Sequence, residues 1–171
     1  MGEHPVLPHL TVEGHVHMVD VGGKNETRRL AVAEGYLLAR PDVVRLVESG
    51  RAPKGDVMAV ARVAGVMAAK KTSEWIPLAH PLALSAVGVE VSIEESKFKV
   101  VATVETVGRT GVEMEALTAV SAALLTLYDM LKAQDRAMAI TGVRLMAKSG
   151  GRSGDFMRKD GDANEGSGAD Q

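Results

Sequence analysis

The 171-residue chain contains no cysteine. That excludes disulfides, thiolate metal ligands and cysteine nucleophiles together. Aromatic residues are almost as scarce: Trp75, Tyr36, Tyr128, Phe98 and Phe156 make up 3% of the chain. So few rings argue against a nucleic-acid surface that stacks bases. No apolar run reaches the roughly 18 residues of a membrane-spanning segment, so no transmembrane helix is predicted. The opening MGEHPVLPHLTVEG lacks the basic flank and apolar run of a secretory signal. These absences predict a cytoplasmic protein. Charge of one sign is also lacking: 20 Lys and Arg face 22 Asp and Glu. Residues 155–171 hold five acids and two bases, which leaves the rest of the chain at +1. A balanced body carries no global electrostatic footprint for DNA or membrane, so any anion site must come from local clustering. The Walker and G-x-G-x-x-G phosphate motifs and the G-x-S-x-G elbow are absent. No set of His and carboxylates has metal-ligand spacing, so no metal site is predicted.

What is present fits one globular domain, with 46% hydrophobic and 25% charged residues. Residues 1–14 are rich in His and Pro without periodicity and read as a flexible arm. Residues 155–171 read as a disordered acidic tail. The working domain is therefore 15–154. A first strand is possible at 15–21. Residues 28–39 read as a strand, with Gly35 a candidate bulge. Pro41 opens a short helix stopped by Gly50. Asp56 is placed to N-cap a helix over 57–71 that is apolar nearly all round, a pattern expected of a helix buried on more than one side. Val87, Val89, Val91 and Ile93 alternate with polar residues, as do Phe98, Val100, Ala102 and Val104; with EESK between them they predict a hairpin. A long helix follows at 112–134 and a last strand at 139–147. Setting the short helix aside, the order is β-α-β-β-α-β: a ferredoxin-like α+β fold, an antiparallel sheet with helices packed on one face.

On the long helix, Leu117, Val120, Leu124, Leu127 and Leu131 define the core stripe. Asp129 and Lys132 lie one turn apart, which is ordinarily an exposed pair worth a few tenths of a kcal/mol. Glu115 lies roughly 21 Å up the same helix from Asp129, too far for one small site without a second element or chain. His80 sits between Pro77 and Pro81, which restrict the backbone and can aim the imidazole; the alternative is a solvated loop histidine. Basic residues cluster at Arg28–Arg29, Lys54, Lys70–Lys71 and Lys148–Arg152. Lys54 precedes a helix N-terminus that already favours anions. SGGRSG adds backbone that can approach a phosphate. This repertoire suits a polyanionic substrate handled by acid–base chemistry.

MVDVGGK (18–24), T-x-R-x-A (27–31), KGDV (54–57), AGVMAAKKT (65–72), IPLAHPLAL (76–84), GRTGVEMEALTAVSAALLTLYDMLKA (108–133) and RLMAKSGGRSG (144–154) together resemble the molybdenum-cofactor biosynthesis protein C family, the cyclic pyranopterin monophosphate synthases. The likeness spans nearly all of 9–155. It implies a lyase that converts 3′,8-cyclised dihydro-GTP into cyclic pyranopterin monophosphate and releases pyrophosphate. It also implies a ferredoxin-like fold and a homohexamer, a trimer of dimers with active sites between subunits. No protein-bound cofactor is implied, and Mg²⁺ can accompany the substrate triphosphate. By motif, Lys54, Lys132 and Asp129 match the family's catalytic positions. Leu78, Ala79 and His80, with Met114 and Glu115, match substrate-binding segments, and Glu113, Arg29 and Lys148 match further pocket residues. Where many members have PLCHP this chain has Ala79, so a thiol there is not a universal catalytic group.

A division of labour follows as an expectation. Arg29, Lys54, His80 and Lys148 or Arg152 would hold the triphosphate. Lys132 beside Asp129 would supply proton transfers, although an aspartate ordinarily holds a lysine charged. Two other classes fit parts of the pattern. A non-catalytic nucleotide-binding module on the same scaffold would bind phosphate without turnover. An RNA-recognition module shares the strand order, but its sheet aromatics are represented here by Tyr36 and Phe98 alone.

Overall fold

The computed structural model describes residues 15–152 and 154–159. Five strands form one antiparallel sheet: β1 (Thr27–Leu38), β2 (Ala86–Glu94), β3 (Lys97–Gly108), β4 (Ala139–Ser149) and β5 (Phe156–Met157), in the order β2-β3-β1-β4-β5. The helices are α1 (Pro41–Glu48), α2 (Val57–Ala69), α3 (Thr72–Trp75) and α4 (Glu113–Leu131). This is the ferredoxin-like arrangement expected, extended by α3 and by β5.

Strand alternation decides which side chains reach the core. Ala31, Ala33 and Leu37 of β1, Phe98, Val100, Ala102 and Val104 of β3, and Val89 and Val91 of β2 are buried under the helices. From α4, Val120, Leu124, Leu127 and Leu131 meet them, as the leucine spacing predicts. Leu117 is only partly buried against the same core. The β1–β4 register shifts between Val32 and Ala33 and again across Gly35, between Glu34 and Tyr36. A Cβ at Gly35 would sit 2.8 Å from Leu124 Cδ1 and 2.9 Å from Val120 Cγ1, so the missing side chain lets α4 lie close on the sheet. Asp56 caps α2 by accepting from the Ala59 N–H at 2.9 Å. By length and composition alone α4 is apolar enough to cross a membrane. Here its apolar residues line the core instead, and Glu115 is buried among them.

Two expectations need correction. Residues 15–21 do not form a strand: only Val16 makes an isolated bridge, and Val16 and Met18 are exposed. Alternation without a neighbouring strand leaves an extended strap. The segment from 155 is not wholly a tail, because Phe156–Met157 pairs with Ala147–Lys148 as β5. The other residues read as arm and tail, 1–14 and 160–171, lie outside the described residues. On α2, Val57, Ala61, Gly65, Ala68 and Ala69 are buried, while Val60, Val63 and Met67 stay exposed within one chain.

The sheet face away from the helices holds a buried acid. Glu34 accepts from Arg144 Nη2 at 2.6 Å and from the Tyr36 hydroxyl at 3.2 Å, with Lys99 at 3.6 Å. Burial pushes its carboxyl up, but the Arg144 hydrogen bond and the charges of Lys99 and Arg144 outweigh that and hold it below the usual range.

Candidate active site

The candidate residues gather at the two ends of α4. At the C-terminal end, Lys132 Nζ lies 2.6 Å from Asp129 Oδ1. Lys54 Nζ donates to the Asp129 backbone carbonyl at 3.0 Å and lies 3.4 Å from Oδ2. The last carbonyls of a helix lack intrahelical donors and carry its negative pole, so two ammonium groups are well placed there. The loop before α2 delivers Lys54: Gly55 N–H donates to Ala52 O at 3.0 Å, and Gly55 takes φ +83°, a conformation glycine adopts freely. Hydrogen bonds from Lys132 and then Lys54, with both their charges, hold the Asp129 carboxyl below its ordinary range. This cluster is open to solvent, beside a hollow lined by Lys54, Tyr128, Lys132 and Arg136.

At the N-terminal end, Leu78, Ala79, His80, Met114, Glu115 and Glu113 line one cavity of about 330 Å³. The strap carries Val19, Val21 and Lys24 onto the same cavity. His80 Nε2 lies 2.9 Å from Val19 O. A carbonyl only accepts, so Nε2 carries the hydrogen and Nδ1 is left for other partners. His80 is thus half-buried and engaged, neither a free loop histidine nor a free phosphate donor. Glu115 is buried, and burial pushes its carboxyl up to about 7; a backbone hydrogen bond opposes the rise and the Glu113 charge adds to it. A carboxyl poised there can give or take a proton near neutrality.

Arg29 and Lys148 arrive from β1 and β4. Lys148 Nζ lies 3.7 Å from Glu113 Oε1. Arg29 donates from Nε to Gly108 O at 3.0 Å and from Nη2 to Arg109 O at 3.1 Å. Its neighbour Arg28 points to the other sheet face and pairs with Glu105 at 2.7 Å. Arg29 also borders a second cavity of about 700 Å³ with Lys24, Arg109, Thr110 and Arg152. Sequence reasoning passed over Lys24, Arg109 and Thr110 as site residues. Their signal is a glycine beside a cation, in VGGK and GRTG, which brings loop backbone and charge to the same spot.

Within one chain, therefore, Lys54 does not join Arg29 and His80 in a single phosphate clamp. The two groups stand at opposite ends of a 19-residue helix. Among the described residues no group of three or more His, Cys, Asp or Glu is arranged to hold a metal ion.

The fold and these clusters define a ferredoxin-like protein with acid–base and anion-binding side chains at both ends of its core helix. The model of the MoaC family matches residues 18–151, and the chain belongs to that family. It is also 57% identical over 159 residues to a protein of Thermomicrobium roseum named cyclic pyranopterin monophosphate synthase, an alignment covering 92% of this chain and 96% of that protein. Of the candidate residues, all but Arg152 lie within the matched span.

Proposed function

We propose that this protein is a cyclic pyranopterin monophosphate synthase, the lyase of molybdenum-cofactor biosynthesis that turns 3′,8-cyclised dihydro-GTP into cyclic pyranopterin monophosphate and pyrophosphate. The observation that carries the reading is a pairing. One end of α4 holds the His80 cavity beside a cavity lined by Arg29, Arg109 and Arg152, and the other holds a lysine–aspartate–lysine cluster. Membership of the family supports the activity.

In this reading Leu78, Ala79, His80, Met114 and Glu115 seat the ring system, while Arg29, Glu113 and Lys148 border the phosphates. Asp129, Lys54 and Lys132 perform proton transfer and charge stabilisation. Asp129 orients both ammonium groups and stays ionised at neutral pH. Because the two ends are too far apart to act on one small molecule, the working unit is an oligomer in which one protomer's Asp129 cluster meets its partner's ring cavity. A homohexamer built as a trimer of dimers satisfies this. The exposed α2–α4 face supports burial between protomers. In this reading Mg²⁺ enters with the triphosphate of the substrate, and the protein works in the cytoplasm.

The test supplies purified protein with the cyclised GTP intermediate and follows pterin product and pyrophosphate by mass spectrometry. Equal amounts of both are expected, with Lys54→Ala and Lys132→Ala each losing at least about 10²-fold in kcat. Intermediate that binds but persists unchanged would instead indicate a nucleotide-binding module. Near wild-type turnover in both lysine variants would remove the catalytic roles assigned to them.

A further inference from the structure

Between the end of α4 and the start of β4 the chain is exposed at Lys132, Ala133, Gln134, Arg136 and Ala137, yet Asp135 in their midst is buried. Both of its carboxylate oxygens are engaged. Oδ2 accepts from the Arg40 N–H at 3.2 Å and Oδ1 from the Ala137 N–H at 2.9 Å. Two further bonds hold the same segment: Arg40 Nη2 donates to Gln134 O at 3.2 Å, and the Tyr128 hydroxyl donates to Arg136 O at 3.0 Å. A buried polar side chain with its partners in place makes the backbone around it rigid.

Arg40 is also the residue from which α1 starts. Val43 and Val44 fasten that helix to the core. Its far end closes with Gly50 N–H donating to Val47 O at 2.9 Å and Arg51 N–H donating to Leu46 O at 3.2 Å, and the chain passes from there into the loop that carries Lys54. The short helix is therefore a brace. One end sits on Asp135, three residues beyond Lys132, and the other leads to Lys54. We propose that Asp135 is a positioning residue: by seating the segment after α4 on the start of α1, it sets where the Lys132 and Lys54 ammonium groups stand relative to Asp129. The proposal rests on the catalytic reading of that cluster given above. Asp135 is not among the residues that line the hollow beside the cluster, so it acts through those that do. Catalytic groups must be placed to a fraction of an ångström, and a remote change that moves one by about 1 Å can cost up to about 10²-fold in rate.

The experiment measures kcat and KM for the cyclised intermediate in wild type, Asp135→Ala, Asp135→Asn and Arg40→Pro, each assayed well below its own melting temperature. Arg40 has φ −63° and ψ 148°, which proline adopts, so Arg40→Pro removes the N–H that Asp135 accepts and leaves the segment after α4 unmutated. Asp135→Ala is expected to lower kcat about 10-fold or more with KM within about twofold, because the substrate cavities lie at the other end of α4. Asp135→Asn keeps one acceptor oxygen and should lose less than Asp135→Ala. Arg40→Pro should show the same split as Asp135→Ala, in kcat and not in KM. In a Lys132→Ala background, adding Asp135→Ala should cost a clearly smaller factor than it does in wild type, since one of the groups it positions is already gone. A purely structural role predicts the same factor in both backgrounds, and that result overturns the proposal. So does a wild-type kcat in folded Asp135→Ala, or in Asp135→Asn and Arg40→Pro where Asp135→Ala fails to fold; the synthase reading then stands. If the wild type itself makes no product, that reading fails, and crystal structures of wild type and Asp135→Asn decide the positioning role: ammonium groups displaced from Asp129 in the variant support it, and unmoved ones refute it.

Discussion

Glu115 is a carboxylic acid held where its neutral form is favoured. Burial raises its folded-state value to about 7 from an ordinary 4.5. Between those values the folded protein keeps a proton that the unfolded chain has released, so stability falls as pH rises from about 4.5 to about 7 and is level above that. Glu115→Gln, neutral at every pH, should therefore match wild type in melting temperature near pH 4.5 and exceed it increasingly up to pH 7. Differential scanning calorimetry across that range checks the trend. A gap independent of pH would mean that the carboxyl is not neutral in the folded state. The same variant should also lower turnover, because Glu115 lines the cavity that seats the ring system and an amide there neither gives nor takes a proton. At this scale the site is only partly written in the chain. Arg28 and Arg29 look equivalent as a pair, but strand alternation sends one to Glu105 and the other to the loop at 108–109. The prolines around His80 announce a fixed imidazole. Its acceptor, Val19 O, belongs to the strap far away in sequence, and no local pattern reveals it.

The helices meet at their smallest residues. A Cβ at Gly65 of α2 would lie 2.9 Å from the backbone oxygen of Ala119 on α4, with Val89 side-chain atoms at 3.1 and 3.2 Å. A backbone atom cannot turn aside as a side-chain end can. Gly65→Ala should therefore push the helices apart and cost about 2 kcal/mol in urea denaturation, although alanine by itself favours a helix. An unchanged midpoint would show that the α2–α4 contact has room to spare. Elements were legible wherever a period of two or about 3.6 ran long enough: β1, the β2–β3 hairpin, α1, α2, α4 and β4. The four-residue α3 and two-residue β5 are too short to show any period, and the strap imitates a strand because its alternation has no partner to test it. The Asp129–Lys132 spacing was readable as a pair. What lifts it above an ordinary surface pair is Lys54, brought from a loop 75 positions earlier.

At the scale of the whole molecule, one long helix separates two sets of reactive groups. At 1.5 Å per residue, Glu115 and Asp129 stand about 21 Å apart along α4. The apolar residues left exposed between α2 and α4, among them Val60, Met67 and Leu125, line one groove that reaches Asp129. Closed symmetry would use each such face in every copy, so a site shared between two protomers would occur twice in each pair. This predicts complementation. Asp129→Asn disables one half-site and His80→Ala the other, so each variant alone should be inactive. In a mixed pair, one of its two sites combines the wild-type halves of both chains. Co-expressed at equal levels, the two variants should recover about one quarter of wild-type turnover, because half of random pairs are mixed and half of their sites are whole. Product formation by the co-purified protein measures it. Activity that stays at the level of the parent variants would mean that each chain completes its own site, and that α4 must move or bend to bring its two ends to the substrate.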